Sequence, residues 1–137
     1  MEESRNILIL TDGKESPQGI ADRIAASGAL DGCSVATLKA DAFYGTDILP
    51  AGAFFLGCEA PSPLSFTYIE TLFERINLSG RRCGVFSASP KALRYLSGIL
   101  RDCGASQARP FLAKGGKPDD ARLRDWVKSV LGGGKKR

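Results

Sequence analysis

Short apolar runs alternate with amphipathic stretches along this chain. Ile7-Leu8-Ile9-Leu10, Ala53-Phe54-Phe55-Leu56 and Cys83-Gly84-Val85-Phe86 carry no charged or strongly polar side chain. That is the pattern of parallel strands covered on both faces, and it predicts strands over 6–11, 52–57 and 82–87. A further strand is predicted at 33–38 and a last one at about 106–112, where Pro110 removes a donor and implies an edge position. Between the runs, apolar residues recur at helical spacing. Ile20, Ala21, Ile24 and Ala25 mark a helix from about Pro17 that stops at Gly28. Ile69, Leu72, Phe73 and Ile76 mark one that begins at Ser62 or later, with Thr67 and Glu70 available as a capping box for a late start. Leu93, Leu96, Ile99 and Leu100 mark a helix from Pro90, with Gly104 just past its end. Leu123, Trp126, Val127, Val130 and Leu131 mark a last one over 118–131. Residues 39–50, broken by Gly45 and closed by Pro50, predict one short helical turn near 46–49.

Three Ser-Pro pairs punctuate this pattern: Ser16-Pro17, Ser62-Pro63 and Ser89-Pro90. Serine at an N-cap accepts from an orphan backbone N–H. Proline at the first helical position has no N–H to lose and a φ already suited to the helix. Each pair follows an apolar run, so each predicts a strand-to-helix turn. The alternation of elements predicts an α/β three-layer sandwich around a five-stranded parallel sheet. With right-handed crossovers and one order reversal, the sheet order is 2-1-3-4-5. Strands one, three and four then lie side by side. Their three turns converge outside the carboxyl ends of the strands, where open α/β sheets bind ligands.

At 137 residues, 43% hydrophobic and 25% charged, the chain fits a single soluble domain. The expected domain covers 1–131, followed by a flexible basic tail at 132–137. No apolar run reaches the roughly 18–20 residues of a membrane span, and Met1-Glu2-Glu3-Ser4-Arg5 has no signal-peptide pattern. A cytoplasmic protein is expected, without membrane attachment. The formal charge of +4 rests largely on Lys135, Lys136 and Arg137; without these three, 16 basic residues face 15 acidic ones. Neither Arg81-Arg82 nor the Arg122, Arg124, Lys128 set has interleaved aromatics, so no nucleic-acid partner is expected. The chain contains no histidine, which removes histidine-based triads and acid–base chemistry. Its four cysteines show no Cys-x-x-Cys spacing, so neither a zinc site nor a redox pair is expected. Cys33, Cys83 and Cys103 read as small buried hydrophobes. Cys58, between a strand and a helix, is the thiol with a chance of exposure. No catalytic side chain and no metal ligand set is expected.

Three segments carry a family resemblance: Ile7 to Ser16, Phe54 to Pro61, and Gly84 to Ser89. Together with the element order they resemble the flavodoxin family from about residue 5 to 131. They look like that family's phosphate loop and the two loops that flank its isoalloxazine ring. Leu93 to Gly104 is also similar to the family's helix leading into strand five. The resemblance implies noncovalent FMN and an electron carrier or small flavin-dependent oxidoreductase. It implies phosphate contacts at Thr11, Asp12, Gly13, Lys14 and Ser16. It implies ring contacts from Cys58, Glu59 and Ala60 on one side and Ser87, Ala88 and Ser89 on the other. A redox or regulatory protein partner is implied too.

The chain departs from the family pattern in three ways. The usual Thr-x-Thr-Gly-Asn-Thr loop is reduced to Thr11, Gly13 and Ser16, with Asp12 and Glu15 adding negative charge. The two ring-flanking loops, 57–63 and 87–90, contain no aromatic residue, although Tyr44, Phe66, Tyr68 and Tyr95 lie nearby in sequence. The acidic excess of partner-docking flavodoxins is missing. These departures define the alternative, a flavodoxin-like domain without cofactor that acts as a binding or regulatory module. A receiver-like phosphosignalling domain shares the sheet order, and Asp12, Ser87 and Lys114 fall roughly at its functional positions. However, strand three ends Leu56-Gly57-Cys58 without the phosphoacceptor aspartate, so that chemistry has no nucleophile.

Overall fold

The computed structural model describes residues 6–28, 30 and 32–132. The elements, in chain order, are β1 (Asn6–Thr11), α1 (Glu15–Ala25), β2 (Ser34–Lys39), β3 (Ala53–Gly57), α2 (Thr67–Phe73), β4 (Arg82–Ser87), α3 (Pro90–Ile99), β5 (Ser106–Gln107), β6 (Phe111–Leu112) and α4 (Asp120–Gly132). All strand pairings are parallel, in the order β2-β1-β3-β4-β5, with β6 also paired to β4. The α/β sandwich and the order 2-1-3-4-5 are as the sequence predicts.

Alternation along the central strands builds two cores. Leu8 and Leu10 of β1 and Phe54 and Leu56 of β3 face α2 and α3, meeting Ile69, Phe73, Leu93 and Leu96. Ile7, Ile9 and Phe55 face the opposite way, toward Ile20 and Ile24 of α1 and Trp126 and Val127 of α4. A run buried on both faces is therefore apolar at every position. Phe55 and Phe111 pack their rings on Trp126 with centroids 5.4 and 5.2 Å away. Helix α4 reaches the sheet this closely because β4 has Gly84 beneath it: a Cβ there would stand 2.7 Å from the Trp126 ring and 2.8 Å from Val130 Cγ2.

Several boundaries differ from expectation, each for a local reason. The last strand is two short pieces, because after Ala108 N–H donates to the Cys83 carbonyl at 2.9 Å the chain leaves the ladder at Arg109-Pro110, and the Trp126 indole N–H donates to the Arg109 carbonyl at 2.6 Å. Residues 39–50 hold two 3-10 turns, Ala40–Ala42 and Gly45–Asp47, not one. The Asp47 carboxylate accepts from Tyr44 N–H at 2.8 Å and closes the second. Helix α4 starts after Pro118, with Asp119 accepting from the N–H groups of Ala121 and Arg122 at 2.9 and 3.4 Å. It runs on through Gly132, the first residue of the expected tail; 133–137 lie outside the described residues. No helix among the described residues is long and apolar enough to cross a membrane.

Of the three expected serine caps, one is present. Ser89 precedes α3 and its hydroxyl accepts from Ala92 N–H at 3.3 Å. Helix α1 starts at Glu15 with Lys14 as N-cap, which places Ser16 inside the first turn. Ser62 adopts φ +54° between two prolines and precedes a 3-10 turn at Leu64–Phe66. Helix α2 then begins late, at Thr67, but without the expected capping box. The Thr67 hydroxyl donates backward to the Leu64 carbonyl at 2.9 Å, and Glu70 accepts from the Tyr95 hydroxyl at 2.5 Å.

Candidate functional site

The connections after β1, β3 and β4 meet at the carboxyl end of the sheet. Two side-chain hydrogen bonds stitch them together. Asp12 Oδ2 accepts from Glu59 N–H at 2.9 Å, which ties the first connection to the second. Ser87 Oγ donates to the Cys58 carbonyl at 2.7 Å, which ties the second to the third. Residues 12, 58, 59 and 87 thus share one rim, although they are distant along the chain.

The first connection is largely closed on itself. Thr11 is fully buried; its hydroxyl donates to Gln18 Oε1 at 3.0 Å and accepts from Gly13 N–H at 3.1 Å. Asp12 Oδ1 accepts from Lys14 N–H at 3.0 Å. The chain reverses at Gly13, whose φ of +83° suits glycine. Lys14 and Glu15 point to solvent. The first N–H groups of a helix have no partner within it, and Pro17 supplies none, so α1 presents those of Glu15 and Ser16. Ser16 Oγ is the one buried side-chain polar atom without a hydrogen-bond partner among the described residues. A buried hydroxyl in that state costs about 1–3 kcal/mol until something pairs with it.

The second connection is stiff. Pro61 and Pro63 lack N–H groups, Ser62 between them holds a left-handed φ of +54°, and Glu59 N–H is occupied by Asp12. Donors left for a ligand edge are the N–H groups of Ala60 and Ser62. Glu59 and Ala60 are exposed, whereas Cys58 is fully buried. The expected exposed thiol is therefore a core group. Burial, reinforced by the Asp12 carboxylate, pushes the Cys58 thiol up to about 12. Cys83 is likewise pushed up to about 12, by burial and then by its neighbour Cys103, whose own thiol burial also raises. Cys33, expected inside, is half-buried, and all four thiols are free.

The third connection is a tight turn into α3. Ser87 is fully buried, and its hydroxyl also accepts from Ser89 N–H at 3.0 Å. Ala88 and Ser89 are half-buried. The aromatic residues named from sequence stand behind this rim. Phe66 is in the core. The Tyr68 hydroxyl accepts from Gly45 N–H at 2.8 Å. Tyr95, half-buried, is held by Glu70; burial, and next that bond, raise its hydroxyl well above the usual tyrosine range. Exposed hydrophobic side chains on the connections after β2 and β3 are Tyr44 at 71%, Leu49 at 57% and Leu64 at 91% exposure. Leu64 was missed in the sequence, since it reads as the start of an amphipathic helix. Lys114 lies in a 3-10 turn after β6. Gln18, also missed, has no motif signal; its role follows from α1 starting early enough to set it one turn past Lys14.

No protein-family model matches the sequence, and neither does any curated protein. Solved structures match across almost the whole chain. A flavodoxin from Streptococcus pneumoniae TIGR4 superposes with TM-score 0.80 at 14% identity, covering 95% of this chain and 99% of its own. Flavodoxin 2 from Bacillus cereus gives 0.73 at 20% identity, covering 90% and 93%. A Fusobacterium nucleatum flavodoxin bound to flavin mononucleotide gives 0.69 at 13%, covering 97% and 100%. The fold is flavodoxin-like.

Proposed function

We propose that this rim binds flavin mononucleotide and that the chain serves as an electron carrier or small flavin-dependent oxidoreductase working with a redox partner protein. The observation that carries this reading is Ser16: a buried, unpartnered hydroxyl at the start of α1, beside two N–H groups with no partner inside the helix. That donor set suits a phosphate oxygen, which accepts from hydroxyl and N–H alike. Thr11, Gly13 and Lys14 would frame the phosphate group, with Asp12 opposing it. Cys58, Glu59 and Ala60 would line one side of the ring through their backbone, and Ser87, Ala88 and Ser89 the other. When bound, the flavin supplies the one-electron or hydride chemistry. The chain's own part is to bind, orient and desolvate. The charged side chains on these connections and at the first residue of α1 are Asp12, Lys14, Glu15 and Glu59.

A second reading has its own observation. The Asp12 carboxylate already accepts the N–H groups of Lys14 and Glu59, two donors facing the rim. A chain that fills its anion-binding donors with its own carboxylate suits a cofactor-free binding or regulatory module. Titration of the purified protein with FMN separates the two. Saturable quenching of flavin fluorescence at micromolar protein, weakened by Ser16→Ala, supports the first. Protein that stays colourless and leaves the flavin unquenched overturns the first and favours the second.

A further inference from the structure

Next to the rim, on the far side of the Ser87 backbone to which Ala113 N–H donates at 2.9 Å, a cleft of about 570 Å³ opens between β6 and the start of α4. Four cationic side chains line it from separate places in the fold: Arg109 before β6, Lys114 after it, Lys117 before α4 and Arg122 in its first turn. All four are exposed. The ion pair among the described residues is Arg23–Asp120, so none of the four meets a carboxylate within 4 Å. The acid in the lining, Asp119, is turned to the helix start, where Oδ1 accepts from Ala121 and Arg122 N–H. The floor is apolar, with Pro110, Phe111 and Trp126.

Charge is concentrated here. Outside the three basic residues at its end, the chain carries 16 basic against 15 acidic groups, so a cleft with four cations and one acid leaves the rest net negative. Clefts lined by one sign focus the field and attract counter-charged ligands. Four cations held together without counter-ions repel one another, and an anion seated among them relieves that repulsion. The cavity is also within the usual size range for small-molecule sites. Its walls are held: the Trp126 indole N–H grips the Arg109 carbonyl at 2.6 Å, fixing the segment before β6 against α4.

We propose that this cleft is a binding site for a small organic polyanion, a phosphate ester or polycarboxylate of up to about mononucleotide size. It is separate from the flavin reading and stands without it.

Trp126 is the sole tryptophan and lies in the floor, so its emission reports occupancy. Purified protein is titrated at low salt with pyrophosphate, citrate, AMP and a short polyglutamate peptide. Saturable changes with pyrophosphate, citrate or AMP are expected, lost on raising the salt. The dissociation constant should rise at least tenfold in Lys114→Ala/Arg122→Ala, and likewise in Lys117→Glu. It should not change in Lys128→Ala, a charge outside the cleft. Thermal melting establishes that each variant is folded. No saturable change with the three small anions overturns the proposal. So does a response that the cleft variants leave intact, or one confined to the peptide, which would make the cleft a protein-docking surface.

Discussion

Glu59 N–H donates to Asp12 Oδ2 at 2.9 Å across the rim. The next residue back, Cys58, accepts from Ser87 Oγ at 2.7 Å. Asp12 therefore joins the loops and also sets a negative charge beside the start of α1. Asp12→Asn keeps one acceptor oxygen and removes the charge. In the flavin reading its affinity for FMN is expected to rise about tenfold, or about 1.4 kcal/mol. Stability is expected to fall by about 1 kcal/mol as the link to Glu59 weakens. Fluorescence titration and urea unfolding check the two, and an affinity that stays level would refute the repulsion.

Ser16 and Ser89 should respond in opposite ways to the same substitution. Ser89→Ala removes a cap bond to Ala92, and about 1 kcal/mol of stability should go with it. Ser16→Ala deletes a buried hydroxyl that has no partner, so the ligand-free protein should keep its stability or gain slightly. Chemical denaturation of the two variants side by side tests this.

Gly84 is where the sheet admits Trp126. A methyl group there meets the indole at 2.7 Å and Val130 at 2.8 Å, and a ring wedged between Phe55 and Phe111 has little room to retreat. Gly84→Ala should cost about 1–3 kcal/mol by overpacking. A red-shifted tryptophan emission should accompany the lower midpoint. Gly57→Ala, which drives a methyl into the Phe86 ring, should be destabilising as well.

The buried thiols give the protein an alkaline limit. Cys58 and Cys83 are pushed from an ordinary 9.0 up to about 12, so above pH 9 the unfolded chain loses protons that the folded one keeps. Their stabilising contribution is complete below pH 9 and lost as pH rises toward 12, by about 1.4 kcal/mol per pH unit for each thiol. Urea midpoints at pH 8, 9 and 10 should fall accordingly, and the decline should be shallower in Cys58→Ala/Cys83→Ala. With a thiol reagent at pH 8, Cys33 should react at once and the other three only on unfolding.

The sheet was readable from sequence because its central strands are buried on both faces and so stand out as unbroken apolar runs. β1 and β4 were placed to the residue, and β3 to within one. The turns were less readable because a Ser-Pro pair states a preference, while the chain's path settles which residue caps. At Ser89 the two agree. At Ser16 the helix starts two residues earlier, since Asp12 and Thr11 fold the preceding loop back on itself. At Ser62 the two prolines hold a bend in place of a helix start. The meeting of positions 12, 59 and 87 was implied by strand order. That Asp12 would be the link was not, because a carboxylate in a degenerate phosphate loop reads as an intruder until its partners are seen.

At the edge opposite β2 the sheet ends in two strands of two residues each, with Ala108-Arg109-Pro110 between them. A foreign chain seeking a free strand to copy finds no stretch long enough to serve as a template, and a proline and a charged residue stand in the gap. The interruption that spoils the regularity of the fold thereby guards this edge against growth by stacking, the route by which open sheets become fibrils, and leaves the six-residue β2 as the longer edge strand.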